Sequence, residues 1–429
     1  MGRVARTAGF FGHLARDLVG TLVGRFRRWY RRTVVGEEIV TVGVDIFPFY
    51  ERMTGVGWYE WNVLAQLPRV DEAVRLNFYA HTFAAPDEPS PPPMPGGSRC
   101  RFRFHHIPEG FLLPIRPTIQ VLRAVLEPVL LFLDGNDLFF APNFFVPRRH
   151  LAAAARHVAT VHDLAFLRFP ETLQAETLDN LRRFVPRAVV AADALVAVSQ
   201  ATAEDLATLV GVTPRRIHVI HEGVDPVFLG ASRPPRVTLP RRYLLFVSTL
   251  EPRKNIVGLL AGFAAAAASG YDGDLVLVGR WGWKTEAAQA ELAASPVRHR
   301  IHHLDYLERE ELVAVLRGAE AVVFPSLLEG FGLPVVEAMA AGVPVITSNV
   351  SSLPEVGGEA VLYVDPRHPA ELAAAICRLA ADGELRQRLV EAGRRRAERF
   401  RWEEAARATA GVFRRVAALP ERFPDAYCV

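Results

Sequence analysis

The sequence predicts an α/β chain made of two doubly wound, Rossmann-like halves. Three observations carry this. Short apolar runs of strand length alternate with helix-period segments from about residue 38 to residue 416, the pattern of parallel sheets covered by helices on both faces. The alternation pauses at 229–242, where Gly230, Pro234, Pro235, Pro240 and four arginines read as an interdomain linker. A buried-strand run, 321–324, passes through Gly330 and Gly332 and restarts as a helix at Leu333-Pro334, where Pro suits the first helical turn.

The elements follow in order. In the first half strands are expected at 39–46, 76–79, 138–141, 157–161, 194–198 and 217–220, with helices at 58–67, 177–191 and 202–210. Met53-Thr54-Gly55-Val56-Gly57 reads as a glycine loop between the first strand and its helix. Residues 85–98 carry six prolines and Gly96-Gly97 and read as an exposed loop. In the second half strands are expected at 243–247, 275–278, 302–304, 321–324, 344–347 and 361–364. Helices fall between them near 254–268, 285–295, 308–317, 333–341 and 370–382, then at 384–398 and 402–416. The expected organisation is an extension at 1–37, a domain at 38–228, a linker at 229–242, a second domain at 243–400, and a C-terminal helix at 401–429 that packs back towards the first domain.

Charge is unevenly placed. Residues 1–32 hold eight Arg and one Asp, so +7; the whole chain is +3, which leaves −4 for the rest. The body is therefore no nucleic-acid binder by charge. Phe11, Leu14, Leu18, Leu22 and Trp29 fall near one helical face of the arm. It reads either as a basic amphipathic segment on anionic lipid or as an extension docked on the body. Cys100, Cys377 and Cys428 lack paired spacing, which argues against a disulfide framework or zinc site and for a reducing compartment. No apolar run is long enough for a membrane span. The expected location is cytoplasmic, at the inner face of the membrane if the arm binds lipid.

The chemistry concentrates between Glu329 and Glu337, two carboxylates with seven residues between them. Glycines allow a ligand close to the backbone, a helix N-terminus favours phosphate, and a carboxylate accepts both hydroxyls of a vicinal diol. A diphosphate flanked by two sugars would use every part. The plainer alternative is a strand–loop–helix turn in which Glu337 merely suits the helix start.

With Thr160-Val161-His162-Asp163-Leu164, Val198-Ser199 with Thr202, Val219-Ile220, Gly223-Val224-Asp225, Glu251-Pro252-Arg253-Lys254-Asn255 and Phe400-Arg401-Trp402-Glu403, the chain resembles the family 4 glycosyltransferases. These are retaining enzymes of the GT-B fold, two Rossmann-like domains facing across a cleft. The match covers about 39–416, and the 250–255 segment is similar to a mannosyltransferase branch. The resemblance implies a hexose, mannose-like, moved from a nucleotide-diphosphate sugar to a glycan or lipid-linked acceptor. Neither cofactor nor metal is expected; the nucleotide sugar is a substrate. It assigns Glu329 to the sugar hydroxyls and Glu337 to the ribose. Backbone N–H groups around Gly330, Phe331 and Gly332 would meet sugar and phosphate. Lys254 would neutralise the diphosphate, a stretch ending at Leu307 would meet the base, His162 would lie beside the transferred sugar, and Gly55 and Gly57 would let the first loop approach. Many relatives carry an Arg five or six residues before the Lys; here Ser248 and Thr249 stand there, which leaves Arg253 either replacing that cation or only flanking the site. His221-Glu222 stands where Pro-Asn is frequent. Other readings are a nucleotide-sugar epimerase or phosphorylase on the same fold, or a non-catalytic nucleotide-sugar-binding protein.

Overall fold

The computed structural model describes residues 39–46, 55–80, 99–104, 134–143, 156–230 and 233–419. The N-terminal arm at 1–37 and the Pro-rich stretch at 85–98 lie outside these residues.

Two parallel sheets form the frame. The first orders seven strands β3-β2-β1-β4-β5-β6-β7. They are β1 (Val40–Asp45), β2 (Val74–Ala80), β3 (Cys100–Phe104), β4 (Leu138–Ala141), β5 (His157–Val161), β6 (Ala194–Ala197) and β7 (Ile217–Val219). The second orders six strands β10-β9-β8-β11-β12-β13: β8 (Tyr243–Val247), β9 (Asp274–Val278), β10 (Ile301–Leu304), β11 (Ala321–Phe324), β12 (Val345–Ser348) and β13 (Leu362–Val364). Every pairing among them is parallel, with, for example, Val42 opposite Leu76 and Val323 opposite Ile346.

The strands that read as continuous apolar runs are buried throughout. β4, β5, β6 and β11 have no exposed residue, as expected for strands covered on both faces. The sequence reading passed over β3. Its Cys-Arg-Phe-Arg-Phe run alternates instead of running apolar, and it closes the edge of the sheet beside β2.

Each sheet reverses its order beside its first strand, between β1 and β4 and between β8 and β11. Loops leaving the carboxyl ends of such neighbours open the crevice in which doubly wound folds bind ligands. This brings 248–255, after β8, against 325–332, after β11.

Helix α1 (Gly55–Val70) follows β1 and corrects the expected glycine loop. Gly55 and Gly57 belong to its first turn, where the backbone N–H groups need no intrahelical partner and glycine costs little. A Cβ on Gly55 would meet nothing within 4 Å, so close packing does not demand glycine there. Further along are α2 (Ala175–Ala191), α3 (Gln200–Leu209), α4 (Ile256–Ala268), α5 (Glu286–Ala294), α6 (Arg309–Gly318), α7 (Leu333–Ala341), α8 (Leu353–Gly357), α9 (Pro369–Ala381), α10 (Gly383–Ala397) and α11 (Trp402–Ala417).

Helix α11 joins the two halves. It leaves the second domain at Phe400 and packs along α1 on the first. Phe413 meets Phe140 edge-on with centroids 5.0 Å apart, and Trp402 lies 6.0 Å from Tyr59. The crossing is tight at Gly223, where a Cβ would sit 2.3 Å from the Trp402 backbone nitrogen. One buried apolar cluster consequently runs from Val40 in the first domain to Val416 in α11 and takes in the core of the second. Gly223→Ala should lower stability by about 1–3 kcal/mol, the usual cost of overpacking. Urea unfolding would check it, and an unchanged midpoint would mean that α11 shifts freely.

Candidate functional site: a charged cleft between the domains

The loop after β11 is held by its neighbours before any ligand is considered. Gly332 adopts φ +110° and α7 ends on Gly342 at φ +76°, both left-handed positions that glycine takes without strain. The Glu329 N–H donates to Ser351 Oγ at 2.9 Å. Ser352 Oγ lies 2.8 Å from the Phe331 carbonyl and 3.0 Å from that of Glu329. Opposite stands the turn Pro252–Lys254. Asn255, itself left-handed at φ 58°, donates from Nδ2 to the carbonyls of Pro325 and Pro366 at 3.1 and 2.7 Å. Leu327 N donates to the Arg253 carbonyl at 2.9 Å. The two loops are one unit before their side chains meet.

The side chains then make a buried charge cluster. Lys254 Nζ donates to Glu329 Oε1 at 2.6 Å and lies 5.4 Å from the centre of the Phe324 ring. Arg253 Nη1 reaches the other Glu329 oxygen at 3.4 Å and donates to the Leu328 carbonyl at 2.9 Å, while Nη2 donates to Glu251 at 2.9 Å. Arg253 also stands 3.7 Å from Asp163 of the first domain. Burial, with Arg253 adding to it, pushes the Lys254 ammonium down, and Glu329 and Glu251 only partly oppose this. Burial acts against the Arg253 charge too, but Glu329, Asp163 and Glu251 outweigh it and raise its pKa.

Glu337 sits differently. It is buried in α7, and its nearest cation is Arg309, with Nη2 3.5 Å from Oε1. Burial pushes its carboxyl up to about 7; Arg309 works against this, while Asp225 and Glu222 add to it. The two carboxylates of one motif thus sit in different electrostatic surroundings, the first between two cations and the second beside one cation and two acids.

The first domain meets this surface at His162. A Cβ on Gly330 would stand 2.0 Å from the His162 carbonyl oxygen, so only glycine permits the contact. Thr202 Oγ1 donates to that carbonyl at 3.0 Å. The His162 ring points back into its own domain. Nε2 is 3.0 Å from the Pro142 carbonyl, Nδ1 is 3.3 Å from Glu222, and Tyr59 lies edge-on at 4.8 Å. Two further contacts bridge the domains. Glu355 of α8 accepts from the Gln200 N–H at the start of α3 at 2.9 Å and pairs with His221 at 2.6 Å. Trp283 Nε1 donates to the Thr172 carbonyl at 2.8 Å.

Of the residues singled out from sequence, Arg253, Lys254, Glu329, Gly330 and the His162 backbone converge. Gly332 shapes the same loop. Phe331 turns its ring away, onto Phe400 at 5.4 Å. Glu337 makes a second centre with Arg309. Leu307 is half-buried against the core. Gly55 and Gly57 open α1. Sequence reading passed over Arg309, Trp58, Tyr59 and the Ser351-Ser352 pair. Arg309 left one trace: a cation in a helix's first turn opposes the dipole and calls for an acidic partner. Among the described residues no group of three or more His, Cys, Asp or Glu side chains gathers as a metal site.

The family model for glycosyl transferases group 1 matches residues 233–396, and that for glycosyltransferase family 4 matches residues 54–228. The chain is 30% identical over 292 residues to the O-antigen chain mannosyltransferase B of Escherichia coli, covering 66% of this chain and 75% of that one. The chain belongs to the family 4 (group 1) glycosyltransferases. This glycosyltransferase is also 36% identical over 230 residues to the MMP alpha-(1->4)-mannosyltransferase of Mycolicibacterium hassiacum, over 52% of this chain and 54% of that one. Its fold is that of the Anabaena protein HepE in complex with UDP-glucose, with TM-score 0.58 and 18% identity over 87% of this chain and 98% of that one. The enzyme is thus a transferase of the GT-B type. None of its described helices is long and apolar enough to cross a membrane.

Gly330→Ala should hold the domains apart, because the added carbon collides with backbone. Small-angle scattering should report a larger radius of gyration at unchanged mass; a curve identical to that of the parent protein would show that the loop yields instead.

Proposed function

We propose that this glycosyltransferase moves a hexose, mannose-like, from a nucleotide-diphosphate sugar to a glycan or lipid-linked acceptor, with retention and without a metal. The observation that carries the reading is the buried Lys254–Glu329 pair, 2.6 Å long, on a glycine loop that abuts the facing domain. A leaving diphosphate gains negative charge, and fixed cations aimed at that charge lower the barrier. Lys254 and Arg253 supply the cations. Without a ligand they are balanced by Glu329 together with Glu251 and Asp163. A bound diphosphate takes over the cations and frees the Glu329 oxygens to accept sugar hydroxyls. Glu337 accepts from the ribose hydroxyls. The N–H groups around Gly330, Phe331 and Gly332 face sugar and phosphate, the segment ending at Leu307 meets the base, and the first turn of α1, with Gly55 and Gly57, faces the diphosphate.

The acceptor hydroxyl forms its bond to the anomeric carbon on the face from which the diphosphate departs. The carbon–phosphate oxygen bond breaks, and the departing phosphate oxygen takes the hydroxyl proton. His162, with both ring nitrogens already facing acceptors, serves to shape the sugar pocket. The two mannosyltransferase relatives support the sugar, and the UDP-glucose complex of the Anabaena protein supports a nucleotide-sugar donor.

A panel of nucleotide sugars scored by thermal shift should identify the donor, because a ligand that binds only the folded state raises stability by mass action. With that donor and an acceptor, Glu329→Gln should lower kcat by about 10²–10³, the usual range for losing one fixed polar contact to the reacting centre. Turnover should survive chelation. A variant with parental kcat would remove Glu329 from the chemistry.

The raised pKa of Glu337 gives a signed pH dependence. Below about 7 the carboxyl carries a proton and loses acceptor capacity, so nucleoside-diphosphate affinity should rise with pH through that value. A group at that value is ionised about tenfold more fully at pH 8 than at pH 6, and affinity should follow. In the ligand-free protein the sign reverses. The pKa is raised above its unfolded value, so this group's contribution to stability is lost as pH rises through about 7. Calorimetric titration across this range checks the first claim, and Glu337→Gln should flatten the slope.

A further inference from the structure

Arg309 opens α6, and its guanidinium is shared among three parts of the molecule. From the segment that follows β7, Asp225 accepts from Nη1. In the second domain Glu337 lies 3.5 Å from Nη2. From the first domain Trp58 of α1 presents its ring, with the guanidinium carbon 3.8 Å from the centroid. Phe228 stands on another side at 5.7 Å. A planar guanidinium with an aromatic ring beside it and carboxylates within reach of its nitrogens is held in orientation as well as in charge. Its position in the first turn is electrostatically poor by itself, so the acidic partners account for it.

We infer that Arg309, held against Trp58, positions Glu337 for the ribose diol and ties that contact to the approach of the N-terminal domain. The inference rests on the donor-site reading above. Among the described residues the charged groups facing Glu337 are Arg309 from α6 and Asp225 and Glu222 from the segment after β7. Two of the three are like charges. Without Arg309, burial and like charge act together, and Glu337 takes up a proton at neutral pH. A protonated carboxyl keeps less acceptor capacity for two hydroxyls. Arg309 touches neither the sugar nor the leaving oxygen in this scheme, so it is a positioning residue.

The test is calorimetric binding of UDP, GDP and ADP to the full chain from pH 5.5 to 8.5. Whichever binds is then compared with its 2′,3′-dideoxy form. If the parent protein binds none, or shows no preference for the ribose form, the donor-site reading fails and the inference falls with it. Where the parent shows that preference, Arg309→Gln should move the midpoint of the pH dependence upward, with binding at pH 7 about fivefold weaker for the first unit moved and about tenfold weaker for each further one. It should also shrink the ribose preference at pH 7. Arg309→Lys keeps the charge without the planar fork, so it should restore the midpoint more fully than the preference. Trp58→Leu should move the midpoint in the same direction by less. Arg309→Gln with the parental midpoint and preference would overturn the inference. Trp58→Leu with the parental midpoint would sever the link to the N-terminal domain.

Discussion

A carboxylate taken out of water has to find a cation or give up its charge, and the cleft of this enzyme contains both solutions side by side. Glu329 lies between Lys254 and Arg253. Glu337, on the helix that follows the loop of Glu329, has a cation at 3.5 Å and two neighbouring carboxylates, and burial pushes its carboxyl up to about 7. Much of the cleft's architecture follows from supplying those cations. Asn255, left-handed directly after Lys254, bonds that turn to the Pro325 and Pro366 carbonyls, the Arg253 carbonyl ties the two loops together, and α6 begins on an arginine at a position that its own dipole disfavours.

The pairing also explains why the site spans two domains. Arg253 stands near Asp163 as well as Glu329, and Arg309 near Trp58 as well as Glu337. Each of these two arginines, beside a buried carboxylate of the second domain, has a second contact on the first. The Gly330–His162 backbone contact, the Glu355 cap on α3 and the Trp283–Thr172 bond hold the same closure. Charge pairs and interdomain contacts thus share the same two arginines in this cleft.

The apolar frame was legible because parallel strands buried on both faces read as plain apolar runs, and Gly and Pro punctuate them at 229–242 and 330–342. The carboxylate pair, the Lys254 turn and the His162 strand end were legible for a different reason. Each is a short local pattern whose spacing sets its place on strand, loop or helix. Gly55 and Gly57 misled, since glycine in a first helical turn looks the same in sequence as glycine in a loop. The strand Cys100–Phe104 was lost because an alternating run beside prolines resembles loop.

By itself the sequence determined the two runs of alternating strands and helices and the placing of Glu329 on a loop and Glu337 on the helix after it, because periodicity and spacing are local. Only the tertiary structure decided which charges pair. Arg309, Asp225, Glu337 and Trp58 lie far apart along the chain, and no spacing rule connects them. Their meeting depends on the strand order beside β8 and β11 and on how α1 and α11 pack. Tertiary placement therefore also decided that the two glutamates of a single motif meet such different partners, and that the second of them titrates near neutrality.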